Sequence, residues 1–421
     1  MGKLGLVLSG GGSKGAYEIG VYAALRHLKK DISIVTGTSV GAINGVFVAQ
    51  KDLKGALKFW DHVSFKTIFD ENEFPPIEDE KLSKIYMQYA KGFINEGGLD
   101  IYKMKNIFDD YFKASRFYNS NIDYGLVTYN FSKNKPVIKT KQDLTKENIK
   151  DYVLASASCY PAFKPYLIDG EMHIDGGYYD NLPINLAIDL GATEIIAVDL
   201  RAIGFKKAIK DKTVDITYIS PRNKIGSFLV FDKTQARRAI RLGFNDTMKT
   251  FNKLEGNNFT FRRYNLVKNY NKYIDRYESK LNDIFKHTDS KLLNKVFHSE
   301  MFKDILNNKI LYNNFNNLVE IAGKIFNFDE STIYHIRSYN KGLLTALSNT
   351  PAVELEEITT QLKNKKLENI IDRRKIVKYF YNQIEKNDIS FKYVLPFSNE
   401  FLVALYIYTV KTPRSIYWFL S

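Results

Sequence analysis

Short apolar runs and amphipathic stretches alternate along residues 1–200 of the chain. Residues 3–9 form an apolar run with the character of a buried strand, and residues 16–29 repeat apolar positions at helical spacing. A β-branched run over 32–36 and a small apolar stretch over 42–50 follow in the same order. The pattern predicts strand, helix, strand, helix, which is typical of a mostly parallel sheet covered by helices on both faces.

A similar unit recurs later in the chain. Residues 171–174 have strand character, Pro183 suits the first position of a helix, Gly191 suits its end, and residues 194–200 (EIIAVDL) form another apolar run. In α/β sheets, ligands bind in the loops beyond the carboxyl ends of the strands. Because glycine-rich turns follow several of the predicted strands, we expect a functional site at that edge of the sheet.

The pattern changes beyond about residue 262, where apolar positions take helical spacing and predict a mainly helical second domain. The clearest example is the set Leu367, Ile370, Ile371, Val377, Phe380 and Ile384. The apolar run Phe401–Val410 is about half as long as a membrane span requires. Aromatic residues mixed with cations would suit a membrane interface, although a packed core with a basic surface is the favoured explanation. They comprise Tyr264, Tyr270, Tyr273, Tyr277 and the tail 416–420 after Arg414.

Composition narrows the class of protein. The 421 residues suggest roughly two domains, and 44% hydrophobic with 26% charged residues is typical of a folded protein. Cys159 is the single cysteine, which excludes an internal disulfide. The sequence contains no cluster of cysteine and histidine residues that would predict a metal site. The formal net charge of +14 comes from residues 201–421. Such a basic half suits an anionic partner, either nucleic acid or lipid, but a solvated lysine-rich surface remains an alternative.

The glycine-rich stretch at residues 6–15 (LVLSGGGSKG) formally fits a dinucleotide-binding fingerprint. Gly10, Gly12 and Gly15 provide G-x-G-x-x-G between a predicted strand and a predicted helix. The fingerprint also expects an acidic residue at the end of the second strand. In this chain the second predicted strand ends at Thr36 to Ser39, and none of these residues is acidic. No G-K-[ST] follows the glycines, which excludes a P-loop. The sequence therefore leaves open that the glycine-rich stretch binds an anion other than a nucleotide phosphate.

A candidate nucleophile follows the second predicted strand. Gly37, Ser39 and Gly41 form G-x-S-x-G at a strand-to-helix junction, the setting of a nucleophile elbow. A serine hydroxyl requires a base. None of the six histidines lies in a motif typical of serine hydrolases; His173 is the only rival, and its neighbour Asp175 carries the stronger signal. Two glycines follow Asp175 at the end of a short predicted strand, although an Asp-Gly turn alone is common in loops.

Together, these segments resemble the patatin-like phospholipases of bacterial type. The matching motifs are residues 10–15 (GGGSKG), residues 37–41 (GTSVG) and residues 175–177 (DGG), in the family's order. Residues 155–161 (ASASCYP) resemble the small-residue segment that precedes the aspartate motif, and residues 219–254 resemble the end of bacterial members' domains. The resemblance covers about residues 1–258.

The resemblance implies a fold and a set of site residues. It implies a three-layer α/β/α domain over residues 1–258 with a mostly parallel sheet. The resemblance does not extend to residues 259–421, where the apolar spacing predicts a mainly helical basic domain of unknown role. Ser39 would be the nucleophile and Asp175 the base. Backbone amides of the glycine loop would form the oxyanion hole, with further motif positions supporting the site. The oxyanion positions are Gly10, Gly11 and Gly12; the supporting positions are Lys14, Gly15, Gly37, Gly41, Gly176 and Gly177.

The function implied is lipid acyl ester hydrolysis, of phospholipase A or lysophospholipase type, through an acyl-enzyme and without a cofactor or metal. A phospholipid or other acyl-ester lipid would be the substrate, an anionic membrane could contact the basic half, and no nucleic acid partner is expected. A catalytically silent lipid-binding or scaffold protein on the same fold is the alternative. Since no signal peptide or transmembrane segment is evident, we expect a cytoplasmic or peripheral membrane location, with signal-independent export also open.

Overall fold

A computed structural model of the chain describes residues 2–68, 98, 100, 102–286, 311–353, 372–394 and 396–411. The structure divides into two compact units, Met1–Phe251 and Asn252–Ser421, so the first unit ends a few residues before the predicted boundary at 258. The predicted helical positions Leu367, Ile370 and Ile371, together with Arg414 and the tail 416–420, lie outside the described residues.

The first unit alternates strands and helices over residues 4–49 and 171–198 as the apolar pattern predicts, and its strands between residues 123 and 168 lie outside the predicted pattern. Its strands are β1 (Leu4–Leu8), β2 (Ile32–Thr38), β3 (Asp123–Asn130), β4 (Lys135–Thr140), β5 (Tyr166–Ile168), β6 (Glu171–Asp175), β7 (Glu194–Val198) and β8 (Asp215–Ile219). Its helices are α1 (Ala16–His27), α2 (Val40–Ala49), α3 (Leu53–His62), α4 (Phe65–Ile68), α5 (Tyr102–Tyr111), α6 (Ala114–Tyr118), α7 (Ile149–Ser156), α8 (Ile184–Asp189) and α9 (Lys233–Thr250).

The strands form one mixed sheet in the order β5, β6, β3, β2, β1, β7, β8, with β4 paired to β3. The pairs from β3 through β2, β1 and β7 to β8 are parallel, whereas β4, β5 and β6 pair antiparallel. Alternate residues of β1 point to opposite faces: Leu6 and Leu8 join the larger core, and Val7 joins the core beneath α8. The predicted three-layer α/β/α architecture with a mostly parallel sheet is confirmed.

The register of the sheet brings two strand ends together. β2 runs parallel to β3 and ends with Thr38 beside Val127, while β6 runs antiparallel to β3 and ends with Asp175 beside Thr128. β4 occupies the other edge of β3 along this length. Hence β2 and β6 share one edge of β3, and their carboxyl ends meet head to head.

Helix α9 packs closely on α1, the helix that follows the glycine loop. A Cβ on Gly20 would collide with the carbonyl group of Ile240, and a Cβ on Gly243 would collide with the carbonyl group of Tyr17. Nearby, the buried Asp246 pairs with Lys249 at 3.0 Å and accepts a hydrogen bond from the Tyr17 hydroxyl at 3.0 Å. Residues 233–250 thus pack on α1 and contribute Ala236, Ala239 and Leu242 to the core of the first unit, a role that their charged sequence does not reveal.

The second unit is mainly helical, as predicted. Its helices are α10 (Asn265–Lys286), α11 (Leu311–Ile325), α12 (Ile336–Ser348), α13 (Arg373–Lys386), α14 (Phe391–Val394) and α15 (Ser398–Val410). It also has a small sheet that the pattern did not predict, in which β9 (Leu254–Glu255) and β11 (Ile333–Tyr334) flank β10 (Thr260–Arg262).

Helix α15 contains the apolar run noted in the sequence. Residues from Phe401 to Ile407 are buried on every side in the hydrophobic core of this unit. A helix that is apolar all round is typical of a protein core when it is too short for a bilayer. Within the described ranges, no helix combines the length and apolar character needed to cross a membrane.

Candidate active site

Ser39 occupies a strained turn between β2 and α2. Its backbone has φ of 58° and ψ of −129°, a conformation that costs a non-glycine residue about 1–3 kcal/mol and is commonest at functional sites. A Cβ on Gly37 would collide with the carbonyl group of Gly41, so the tight approach of these two positions requires glycine. The conformation and the flanking glycines are those of a nucleophile elbow.

The side chain of Ser156 holds this turn in place. The Ser39 N–H donates to Ser156 Oγ at 2.9 Å, and Ser156 Oγ donates to the Val127 carbonyl oxygen at 2.6 Å. The Thr38 hydroxyl donates to the carbonyl oxygen of Asp180 at 2.7 Å, which ties the end of β2 to the loop after Asp175. These hydrogen bonds stabilise the strained residue from both sides.

Asp175 lies at the end of β6, directly across from the elbow. Its N–H donates to the carbonyl oxygen of Ser158 at 2.9 Å, and its Oδ1 accepts the Gly177 N–H at 2.7 Å. Burial raises the pKa of Asp175 to about 6, against the opposing effect of hydrogen bonds from the Ser39 side chain and the Gly177 N–H. A carboxylate with a raised pKa is a better proton acceptor than a solvated one.

The glycine loop follows β1 at the same edge of the sheet. The Gly10 N–H donates to the Asn181 carbonyl oxygen at 3.1 Å, so it is already occupied. No described residue accepts a hydrogen bond from the N–H of Gly11 or Gly12. Gly12 has a φ of 56°, and a Cβ there would collide with the Phe228 carbonyl oxygen. The loop therefore offers two free N–H donors, one fewer than the three predicted positions.

A cavity of about 420 Å³ joins these groups. Ser39, Asp175 and Gly11 line one side of it, and the loop from Arg201 to Phe205 lines another. This volume lies within the usual range for small-molecule sites. A serine, a carboxylate of raised pKa and the free N–H of Gly11 at one cavity, with the free N–H of Gly12 next to it in the chain, can together carry out acyl transfer.

Comparison with known families agrees with this arrangement. Residues 6–188 match the family model described as patatin-like phospholipase. Residues 6–188 belong to the patatin-like phospholipase family. The matched range contains the glycine loop, the elbow of Ser39 and the Asp175 turn.

Relatives of known name share parts of this chain. Lysophospholipase nte1 of Aspergillus terreus is 28% identical over 255 residues, covering 58% of this chain and 15% of the fungal protein. Patatin-like phospholipase domain-containing protein 7 of Rattus norvegicus is 30% identical over 207 residues, covering 47% of this chain and 13% of the rat protein. The matches thus span only 13–15% of these relatives' own length. Among solved structures, VipD from Legionella pneumophila shares 15% identity, with 98% of this chain and 92% of VipD covered and a TM-score of 0.39.

The supporting positions of the patatin-like domain cluster around the cavity. Lys14 lines it, half-buried, and Gly177 lines it beside Asp175. Gly15 is buried against Val40 at the start of α2, and Gly176 is buried against Val127 of β3. The structure therefore brings the three predicted motifs of the patatin-like phospholipase family to one edge of the sheet.

Two polar residues of the patatin-like domain were missed by sequence reasoning as participants in the site. Asn181 accepts the Gly10 N–H through its backbone and donates from its side chain to the Gly10 carbonyl oxygen at 3.4 Å. Ser156 lies in the small-residue segment noted in the sequence, but only the fold reveals that its hydroxyl holds the Ser39 N–H. The only available signal was that both are small polar residues close to the predicted motifs, Ser156 at the end of α7 and Asn181 in the loop after Asp175.

Two nucleophilic or basic side chains near the patatin-like motifs have other environments. Burial, followed by the nearby Asp175, raises the pKa of the Cys159 thiol to about 12, which keeps it protonated and unreactive near neutral pH. His173 is buried near Asn130 and against the Tyr152 ring, and burial lowers its pKa. It does not line the cavity, whereas Asp175 does.

Proposed function

We propose that this protein is a lipid acyl hydrolase of phospholipase A or lysophospholipase type that uses Ser39 and Asp175 as a catalytic dyad. The observation that carries the proposal is the meeting of β2 and β6, which brings the hydroxyl of Ser39, the carboxylate of Asp175 and the free N–H of Gly11 to one cavity. Patatin-like family membership supports the same reaction class.

In the proposed mechanism, Ser39 Oγ attacks the ester carbonyl carbon as its proton passes to Asp175. The carbonyl oxygen becomes negative and accepts hydrogen bonds from the N–H groups of Gly11 and Gly12. The tetrahedral intermediate collapses, the alcohol leaves with the proton from Asp175, and the acyl group stays on Ser39. Water then attacks the acyl-enzyme, giving its proton to Asp175, which returns it to Ser39 Oγ as the fatty acid leaves.

The rim of the cavity supports a lipid as the substrate. Ile203 is fully exposed at the mouth, and Phe205 and Tyr178 are 68% and 42% exposed there. Arg201 and Lys14 add cationic groups to the same lining. Apolar side chains exposed beside a site mark binding surfaces for apolar partners, and neighbouring cations suit anionic head groups. The names of the lysophospholipase relatives favour monoacyl lipids among the possible substrates.

Hydrolysis by purified full-length protein tests the proposal. With p-nitrophenyl butyrate and with lysophosphatidylcholine, Ser39→Ala and Asp175→Asn should each lower the rate at least about a thousandfold. Ser158→Ala, a buried serine bonded to the Leu154 carbonyl oxygen, and Asp180→Asn, a neighbouring buried carboxylate, are matched controls. Unchanged hydrolysis by Ser39→Ala would refute the nucleophile.

A catalytically silent lipid-binding protein on this fold is the second candidate. It predicts that the wild type binds lysophosphatidylcholine micelles yet releases no fatty acid from any ester tested, with Ser39→Ala binding equally well. Mass spectrometry of the released lipids distinguishes the two functions. It also separates phospholipase A from lysophospholipase activity when diacyl and monoacyl phosphatidylcholine are supplied together.

A further inference from the structure

A second cavity, of about 570 Å³, lies within the unit Asn252–Ser421 and has a strongly cationic lining. Four cations line it: Lys268, Lys272, Arg337 and Lys341. No carboxylate is among the lining residues, and none of the four forms an ion pair with a carboxylate in the described part of the chain. The cavity thus concentrates positive charge that the described residues leave uncompensated.

The two helices that carry these cations run side by side in the same direction. Asn265 Oδ1 accepts the Ile336 N–H at 2.8 Å, and one turn further along both helices Asn340 Nδ2 donates to Asn269 Oδ1 at 2.8 Å. The first turns of α10 and α12 are therefore adjacent, and neither contains an acidic residue. The Glu255 carboxylate accepts the Leu266 N–H at 2.5 Å and so compensates the amino terminus of α10, whereas the Arg337 N–H in the first turn of α12 donates to the His335 ring.

The cations also repeat along each helix. Lys268 and Lys272 are four residues apart on α10, and Arg337 and Lys341 are four residues apart on α12. Like charges at this spacing lie on one helix face and destabilise an isolated helix. Each helix therefore presents a cationic row to the cavity at some cost to its own stability.

A buried ring of hydrogen bonds fixes the two rows relative to each other. Asn269 Nδ2 donates to the Tyr406 hydroxyl at 3.1 Å, which donates to Asn340 Oδ1 at 2.7 Å, and Asn340 closes the ring on Asn269. All three side chains are buried, so neither helix can rotate without leaving a polar group unpaired. The ring therefore fixes the helix positions from which the four exposed cations extend, and a fixed backbone lowers the entropic cost of binding a ligand.

We propose that this cavity binds a phosphate-rich anion, either a soluble polyphosphate or the phosphomonoester head group of a lipid. Lysine is a point-charge binder of phosphate and arginine can bind two phosphate oxygens at once, so the two rows match an anion with several charged oxygens. The volume suits a ligand of this size. This binding goes beyond the proposed ester hydrolysis and does not depend on it.

Calorimetric titration of the full-length Ser39→Ala protein with sodium tripolyphosphate tests whether the cavity binds a soluble polyphosphate. The Ser39→Ala background is used because it hydrolyses no lipid under the proposed mechanism. In the same background, Lys268→Gln with Arg337→Gln should weaken binding at least about tenfold. The matched control, Lys286→Gln with Lys324→Gln, removes two exposed lysines outside the cavity and should change affinity less than about twofold. Melting curves check that each variant folds.

Vesicle flotation tests whether the cavity binds the head group of a lipid. Phosphatidylcholine vesicles containing phosphatidic acid are compared with vesicles of equal charge containing phosphatidylserine. If the protein prefers phosphatidic acid, and the cavity variant loses this preference while the control variant keeps it, the ligand is the lipid head group. If only tripolyphosphate binds, and the cavity variant weakens that binding, the ligand is a soluble anion. The proposal is overturned if neither probe binds, or if the control variant loses as much binding as the cavity variant.

Discussion

The two cavities of this protein are built in different ways. The cavity at Ser39 depends on backbone geometry at strand ends, where Gly11 lines the cavity with a free N–H donor and Ser39 holds a strained conformation. The cationic cavity is formed by side chains on α10 and α12, with residues 71 positions apart in contact. Because a required backbone geometry restricts the residue type at each position, such a site is visible in the sequence as a local motif. A site made of side chains from distant positions produces no such motif.

Apart from replacing Ser39 or Asp175, the largest expected effect comes from disturbing the backbone geometry of the glycine loop beside the first cavity. Gly12→Ala should lower kcat/KM about a hundred to a thousandfold, because the positive φ and the Phe228 carbonyl group would displace the loop and its donors. Initial rates with a soluble ester measure this. Gly170→Ala is the control: its φ is 79° but open space surrounds it, so activity should persist. Equal activity of both variants would show that the loop geometry does not matter.

A smaller effect is expected from a side chain that positions the backbone. Ser156→Ala removes the acceptor of the Ser39 N–H and should lower kcat about ten to a hundredfold with KM nearly unchanged, since misplacing a nucleophile slows the chemical step. Full Michaelis–Menten curves measure both constants. Ser158→Ala removes an equally buried hydroxyl that contacts Leu154 and should leave kcat near the wild-type value. A rise in KM alone would contradict the positioning role.

In the side-chain-built region, the expected effect is on stability. Tyr406→Phe opens the ring with Asn269 and Asn340 and should lower the free energy of unfolding by about 1–3 kcal/mol. Tyr277→Phe is a matched control, because the Tyr277 hydroxyl is buried without a hydrogen-bond partner in the described residues, so its loss should be nearly neutral. Urea unfolding compares the two. A larger loss for Tyr277→Phe would contradict the importance of the ring.

The smallest effect near neutral pH concerns the protonation of Asp175. Its carboxylate must be ionised to accept the Ser39 proton, so kcat/KM should rise with pH to a plateau, with a midpoint near the pKa of about 6. Below the midpoint the rate should fall about tenfold per pH unit, while from pH 7 to 8 it should rise only about a tenth.

Asp180 provides the control for this profile, because burial raises its pKa to about 6 as well. Asp180→Asn should keep the midpoint if Asp175 is the base. If the fall in rate at low pH disappeared in Asp180→Asn, the pH profile would report the ionisation of Asp180, and the assignment of Asp175 as the base would lose this support.

Much of the first unit could be predicted from sequence because its signals are local. The apolar runs at residues 3–9 and 32–36 become β1 and β2, and the α/β order follows from them. In the second unit, the small sheet of β9 to β11 escaped prediction because its strands are two or three residues long. The roles of Ser39 and Asp175 stay predictions that the proposed assays test.

The sequence by itself determined the order of strands and helices over residues 3–50 and 171–200, the sharp serine turn and the glycine loop, because each depends on neighbouring residues. Only the tertiary structure decided which strand ends meet, that Gly10 is already bonded to Asn181, and that Ser156 holds Ser39 from 117 positions away. It also decided that four scattered cations share a cavity. The physical reason is that sheet register and helix packing are set by long-range contacts, which a pattern along one chain does not encode locally.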